Sequence, residues 1–257
     1  MKIKFINTIL NSALLAIGLT SSAHATVILY DQDFENPAAF VNNGGDVNIF
    51  NSVNTLYGNQ PSGFTFAQQY TVETLLLTGN QAFGTGYTDT SGVGGNYALG
   101  MLSSVQNDLL GLSFDVSGYD FLNARMDISS IDLSVFSGPF VPPGAIPTFE
   151  FTLYDNPTGI NGLGGGTILD SIQVSGTASA RDVFDWTEVL LPLSTAGNTN
   201  GNVTLRIDLL SGGYASMDNF VIAASDSSGN ISVPEPSIAI LLATGLMVLG
   251  VARRKKA

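Results

Sequence analysis

Thr148-Phe149-Glu150-Phe151-Thr152-Leu153 and Val203-Thr204-Leu205-Arg206-Ile207-Asp208-Leu209 decide the fold. In the first segment Phe149, Phe151 and Leu153 alternate with Thr148, Glu150 and Thr152. In the second, Leu205, Ile207 and Leu209 alternate with Thr204, Arg206 and Asp208. Successive side chains of a strand point to opposite faces. A period of two therefore predicts antiparallel strands that bury one face and wet the other. Short runs of Val, Ile, Leu, Phe, Tyr and Thr, bounded by Gly, Asn, Asp, Ser and Pro, recur along the chain. They place strands near residues 26–34, 64–77, 97–101, 110–116, 124–136, 148–154, 168–174, 186–193, 203–209 and 215–222. No helical period of useful length separates them. The expectation is an all-β domain, an antiparallel β-sandwich, in which packing two sheets protects most edges. A domain of this size buries around 70 % of its unfolded surface, so the absence of cysteine is no obstacle.

Between two of these strands, Asp155-Asn156-Pro157-Thr158-Gly159 and the glycines from Gly162 to Gly166 predict one long hairpin loop. Residues 84–95 form a second glycine-rich loop. Neither loop opens a helix or supplies a lysine, so neither is a phosphate cradle. Residues 224–232 are small and polar and predict a linker, which ends the domain at 26–223.

Charge narrows the chemistry. The chain has 9 Lys+Arg, 21 Asp+Glu, one His and no Cys. Between residues 26 and 232 only Arg125, Arg181 and Arg206 are basic, and His24 lies outside that stretch. Nucleic-acid binding needs a Lys/Arg surface to neutralise phosphates and is excluded. Serine triads, Ser-Lys and Cys-His pairs and zinc hydrolysis lack their bases or ligands. A paired-carboxylate glycosidase survives elimination. Asp182, Asp185 and Glu188 around Trp186, or Asp127 with Asp132, supply carboxylates, but no flanking pattern selects a pair. The three arginines are expected to pair with neighbouring acids such as Asp127, Asp182 and Asp208.

The two ends describe a route. Lys2 and Lys4, a mostly apolar stretch over 9–19 and the small-x-small run Ala23-His24-Ala25 form a signal peptide over 1–25. Signal peptidase would cut after Ala25. At the other end Pro234-Glu235-Pro236 precedes the uncharged stretch 238–252 and then Arg253-Arg254-Lys255-Lys256. A helix of that length rises about 22 Å, against about 30 Å of hydrocarbon, which suits a tilted or temporary span. The basic end stays cytoplasmic, leaving 26–232 outside the inner membrane. This three-part tail over 233–257 resembles the PEP-CTERM sorting signal. The resemblance implies an exosortase-type processing enzyme as partner, with Pro234, Glu235 and Pro236 as recognition residues and Arg253 and Arg254 as the cytoplasmic stop. It further implies a Gram-negative, exopolysaccharide-producing host.

Two segments of the domain carry a second resemblance. Asp31-Gln32-Asp33-Phe34-Glu35-Asn36 near its start and Met217-Asp218-Asn219-Phe220-Val221 near its end are similar to the jelly rolls of carbohydrate-binding modules. In many of those an early Glu and a late Asp hold a structural calcium ion; the matching positions are Glu35 and Asp218. Calcium takes six to eight oxygens and suits an acidic exported domain. Sugar binding would use aromatic platforms. Trp186 begins an apolar strand and is expected in the core, whereas Tyr57, Tyr87, Tyr97 and Tyr119 border glycine-rich loops. These readings converge on a non-catalytic surface or matrix protein associated with exopolysaccharide. A calcium-dependent carbohydrate-binding module is the alternative.

Overall fold

The computed structural model describes residues 25–38, 53–57, 66–69, 72–77, 89–101, 108–130, 146–180 and 183–232. In chain order the elements are β1 Val27–Gln32, one helical turn α1 Val53–Leu56, β2 Phe66–Gln69, β3 Val72–Leu76, β4 Tyr97–Met101 and β5 Leu109–Asp115. There follow β6 Phe121–Ser130, β7 Thr148–Asp155, β8 Ile168–Ser175, β9 Thr187–Ser194, β10 Asn202–Ser211 and β11 Ala215–Ser225. They form two antiparallel sheets. One runs β3-β4-β11-β6-β9 with β1 also on β11, and the other runs β2-β5-β10-β7-β8. β1 and β4 lie end to end along one edge of β11. β4 pairs with residues 215–217, and β1 pairs with residues 220–224.

The alternation explains the layering. Phe149, Phe151 and Leu153 of β7 and Leu205, Ile207 and Leu209 of β10 are all buried. They share one core with Leu122, Met126 and Ile128 of β6 and Met217, Phe220 and Ile222 of β11. Each such side chain contributes about 1.5–3 kcal/mol by leaving water. The all-β sandwich expected from the sequence is present, and the β7–β8 hairpin closes where the glycine-rich loop lies.

The segment expected as one strand over 64–77 is two strands in different sheets, β2 and β3. β2 ends at Gln69 and β3 begins at Val72, and no glycine or proline between them in the sequence marks the switch. The strand expected to reach 136 is seen from Phe121 to Ser130; residues 131–136 lie outside the described residues. So do residues 1–24 of the signal peptide, the Pro-Glu-Pro motif, the stretch 238–252 and the basic end. Among the described residues no helix is long and apolar enough to cross a membrane.

Residues 224–232 differ from the expected linker. Ala224 and Ser225 finish β11, and the next turn is pinned by Asn123 of β6, which is fully buried. Asn123 Nδ2 lies 2.8 Å from Ser225 Oγ, 3.2 Å from Ser227 O and 3.0 Å from Asn230 O. Its Oδ1 accepts the Gly229 N–H at 2.7 Å. Asn230 Nδ2 then donates to Thr26 Oγ1 at 2.9 Å, and the Tyr119 hydroxyl donates to Ala25 O at 3.0 Å. Small polar composition reads as linker; here it serves as hydrogen-bonding partner to a buried amide.

Candidate functional site

Glu35 and Asp218 meet where β1 ends, β4 begins and β11 bulges. The register of β11 against β6 shifts between Asp218 and Val221, and Asn219 adopts φ 52. Phe34 has φ 54, uncommon for a bulky residue. Packing holds it there. Its ring is edge-on to Tyr57 at 5.1 Å and to Phe220 at 5.2 Å, and its carbonyl accepts the Tyr57 hydroxyl at 2.9 Å. This turn sends the Glu35 carboxylate to the start of β4. There it accepts the Asn96 N–H at 2.7 Å, the Tyr97 N–H at 3.1 Å and Asn96 Nδ2 at 2.6 Å.

Asp218 is 1 % exposed, and its Oδ1 accepts the N–H of Asn219 at 2.7 Å. Burial, then the charges of Glu35, Asp127 and Asp33, push its pKa up to about 9 against the Asn219 bond. Burial likewise pushes the Tyr57 hydroxyl up. Asn219 Nδ2 links the cluster to Asp127 Oδ2 at 2.9 Å and to Val93 O at 3.1 Å. Burial raises the Asp127 carboxyl as well. Among the described residues no group of three or more His, Cys, Asp or Glu is placed to hold a metal. A cation here would depend on carbonyl oxygens beside Asp218. The buried Asp218 fits a hard cation, and Glu35, whose Oε2 accepts only Asn96 Nδ2, keeps lone pairs that could join it.

The second candidate is the outward face of the five-stranded sheet. Facing residues across its strands form rows. Ser113, Thr204 and Tyr154 make one, Gly111, Arg206, Thr152 and Ser171 the next, and Leu109, Asp208, Glu150 and Gln173 a third. Hydroxyls and amides bond along them. Ser113 Oγ and Thr204 Oγ1 are 3.0 Å apart, and Gln173 Nε2 donates to Glu150 Oε1 at 3.1 Å. The Arg206 guanidinium lies over the Tyr154 ring, 4.8 Å from its centre. Arg206 Nε and Asp208 Oδ1 are buried and lack a hydrogen-bond partner. Burial raises the Asp208 carboxyl, with the Arg206 charge opposing and Glu150 adding. In place of the ion pair expected between Arg206 and Asp208 there is a cation–π contact, because the β10–β7 register brings the Tyr154 ring under the guanidinium. Sequence reasoning passed over this face. Its signal was the polar half of the two alternating strands, which becomes a site only once their register is known.

The remaining expectations resolve individually. Arg125 Nε is 4.0 Å from Glu188 Oε2, so its ion-pair partner is Glu188 rather than Asp127. Trp186 is absent from the core cluster; it stacks on Phe184 at 5.7 Å and 9°, and is packed against Gly94. Tyr57 is buried and offers no platform. Tyr97 and Tyr119 are half-buried. Tyr87, Asp132, Arg181 and Asp182 lie outside the described residues. A cleft of ≈ 440 Å³ opens between the β5–β6 and β9–β10 turns, lined by Ser117, Tyr119, Asp120, Asn198, Thr199 and Asn200. Asn198 and Thr199 give their side-chain donors to Asp155, which leaves the cleft largely satisfied from within.

No protein-family model matches the sequence, and no curated protein matches it. Solved structures do. The CBM22-1 xylan-binding domain from Paenibacillus barcinonensis Xyn10C aligns over 80 % of this chain and 99 % of its own, with 14 % identity and TM-score 0.42. TmCBM61, solved in complex with beta-1,4-galactotriose, aligns over 66 % of this chain and 95 % of its own, with 9 % identity and TM-score 0.34. The K3 adhesin domain of Lys-gingipain from Porphyromonas gingivalis aligns over 77 % of this chain and 98 % of its own, with 9 % identity and TM-score 0.39.

Proposed function

We propose that this protein is an exported, non-catalytic carbohydrate-binding protein that takes a neutral glycan on the outward face of its five-stranded sheet. One observation carries the reading. Arg206 Nε and Asp208 Oδ1, a donor and an acceptor, are buried on a face of hydroxyls and amides without partners. Both atoms are covered as the side chains lie, so binding requires the Arg206 side chain to lift off the Tyr154 ring. A sugar hydroxyl both donates and accepts and would then bond each. An unpaired buried group costs about 1–3 kcal/mol, which a ligand supplying the missing bond would return. Asp208 and Glu150 on the same face disfavour an acidic polymer. The xylan-binding domain and the domain solved with galactotriose set the first glycans to try. Calorimetry of the purified protein with xylan, galactan and the host's exopolysaccharide tests the reading. Arg206→Ala and Asp208→Asn are each expected to weaken saturable binding about tenfold or more. Unchanged affinity in both variants would remove this face from consideration, and turnover of the bound glycan would overturn the non-catalytic part.

The ends of the chain belong to the same proposal. Signal peptidase removes 1–25, and the tail from 233 holds the protein at the inner membrane until an exosortase-type enzyme processes it. The product reaches the cell surface or extracellular matrix, beside exopolysaccharide. Alanines at Pro234, Glu235 and Pro236 are expected to leave an uncleaved precursor in the membrane. Mature protein released at the wild-type level by that variant would end the sorting claim. A structural calcium ion at Glu35 and Asp218 completes the proposal, because a buried carboxylate at a strand bulge beside a second one is a natural set of oxygen ligands. When bound, the ion supplies positive charge that the acidic junction lacks.

A further inference from the structure

The loop between β7 and β8 leaves the end of the sandwich and folds back onto the polar face. The Gly162 carbonyl and Leu163 Cα occupy the space into which a side chain at position 111 would project. Gly164 lies against the Tyr154 ring in the same way. Beneath the loop, Ser113, Thr204 and Tyr154 are outward-facing yet 9 %, 2 % and 5 % exposed.

The loop is pinned. Asn156 Nδ2 donates to Ile160 O at 3.0 Å and to Thr204 Oγ1 at 3.2 Å. Gly159 N donates to Asn156 O at 3.0 Å, and Asn200 Nδ2 donates to Pro157 O at 2.9 Å. Glycines at 159, 164, 165 and 166 adopt positive φ, which lets the backbone lie this close.

Its position matters for the row that holds Arg206. That row runs from Ser171 on β8 through Thr152 and Arg206 to Gly111, with Ala67 of β2 beyond. At the β8 edge it is open, since Ser171 and the neighbouring Gln173 are exposed. At β5 the loop backbone occupies the row. From β8 to β10 the row spans about 10 Å, two strand spacings, with Ser171 exposed, Thr152 buried and Arg206 half-buried.

We infer that this face receives the end of a glycan chain and not its interior. The chain enters over β8, its terminal ring lies at Arg206, and residues 162–163 stop it at β5. The inference rests on the glycan reading above and adds to it the kind of ligand selected: chain ends, with only a few rings held.

The test uses the full-length protein and the glycan linkage that binds in calorimetry, as hexasaccharide and as soluble polymer. Wild type is expected to bind one molecule per chain at both lengths. Opening the reducing-end ring to the alditol, or oxidising the non-reducing ring with periodate, is expected to weaken hexasaccharide binding about tenfold in one case only. Gly111→Ala, whose methyl displaces the loop, is expected to add internal sites, so that several molecules load onto one polymer chain. Wild-type stoichiometry that rises with chain length, or equal binding of intact and both end-modified hexasaccharides, overturns chain-end recognition while leaving the glycan reading intact. Absence of wild-type binding to every glycan, with Gly111→Ala also silent, removes both. Binding by Gly111→Ala alone would make the loop a closed lid and overturn the inference.

Discussion

Replacing Asn123 by alanine is expected to lower the unfolding free energy by about 3–5 kcal/mol, near the top of the range for single substitutions. The side chain is fully buried, and its two polar atoms serve Ser225 Oγ, the Ser227 and Asn230 carbonyls and the Gly229 amide. Alanine leaves those groups half-covered with nothing to bond, and each such loss costs more than the net value of the bond that was there. The Asn230 contact to Thr26 depends on the same turn, so the effect reaches β1. Urea denaturation checks this: the midpoint should fall with the slope unchanged. A loss below about 1 kcal/mol would mean that packing alone holds residues 226–230.

The second large effect is on pH dependence. Asp218 carries a folded pKa of about 9 against an ordinary 3.8, because burial and the charges of Glu35, Asp127 and Asp33 disfavour its ionised form. The folded chain therefore holds this proton more tightly than the unfolded chain does. Its stabilisation is complete below pH 3.8 and is lost as pH rises toward about 9. In chelator, the melting temperature is expected to fall across that window by on the order of 10 °C, equivalent to a few kcal/mol. Asp218→Asn should flatten the profile and be the more stable form at the alkaline end. Calcium should also flatten the wild-type profile, since a cation would favour the ionised carboxylate. Melting curves from pH 4 to 9, with chelator and with calcium, check both statements. A wild-type profile as flat as that of Asp218→Asn in chelator would show that solvent reaches the carboxylate.

Most of the fold was legible because alternation is a local property. Thr148–Asp155 and Asn202–Ser211 display it without knowledge of any partner. What was not legible depended on which strands become neighbours. The run 64–77 conceals a sheet change because no glycine or proline in the sequence between β2 and β3 marks a break. Arg206 and Asp208 read as an ion pair by proximity in sequence, but only the β10–β7 register places the Tyr154 ring under the guanidinium. Residues 224–232 look like linker because serine and glycine rarely announce a partner, and that partner, Asn123, lies a hundred residues away. Gly111 was silent for the same reason: its lack of a side chain acquires meaning only when the β7–β8 loop lies on it. Glu35 and Asp218 were chosen by resemblance. Their approach to each other follows from β1 and β4 meeting end to end on β11, a relation that no local pattern encodes.

The place of β11 also bears on when the chain can fold. It is the last of the described strands and the centre of its sheet, pairing with β1, β4 and β6. Val27 finds its partner only in Ala224, so the first strand has no neighbour in that sheet until nearly the whole domain exists. Contacts of such separation form slowly, since the loop must close before any pairing rewards it. The five-stranded sheet, which contains no part of β11, can form before it, so its inward apolar face waits for the sheet that β11 completes. The same delay leaves the early apolar strands uncovered, which makes the interval before β11 arrives the period of greatest exposure to aggregation.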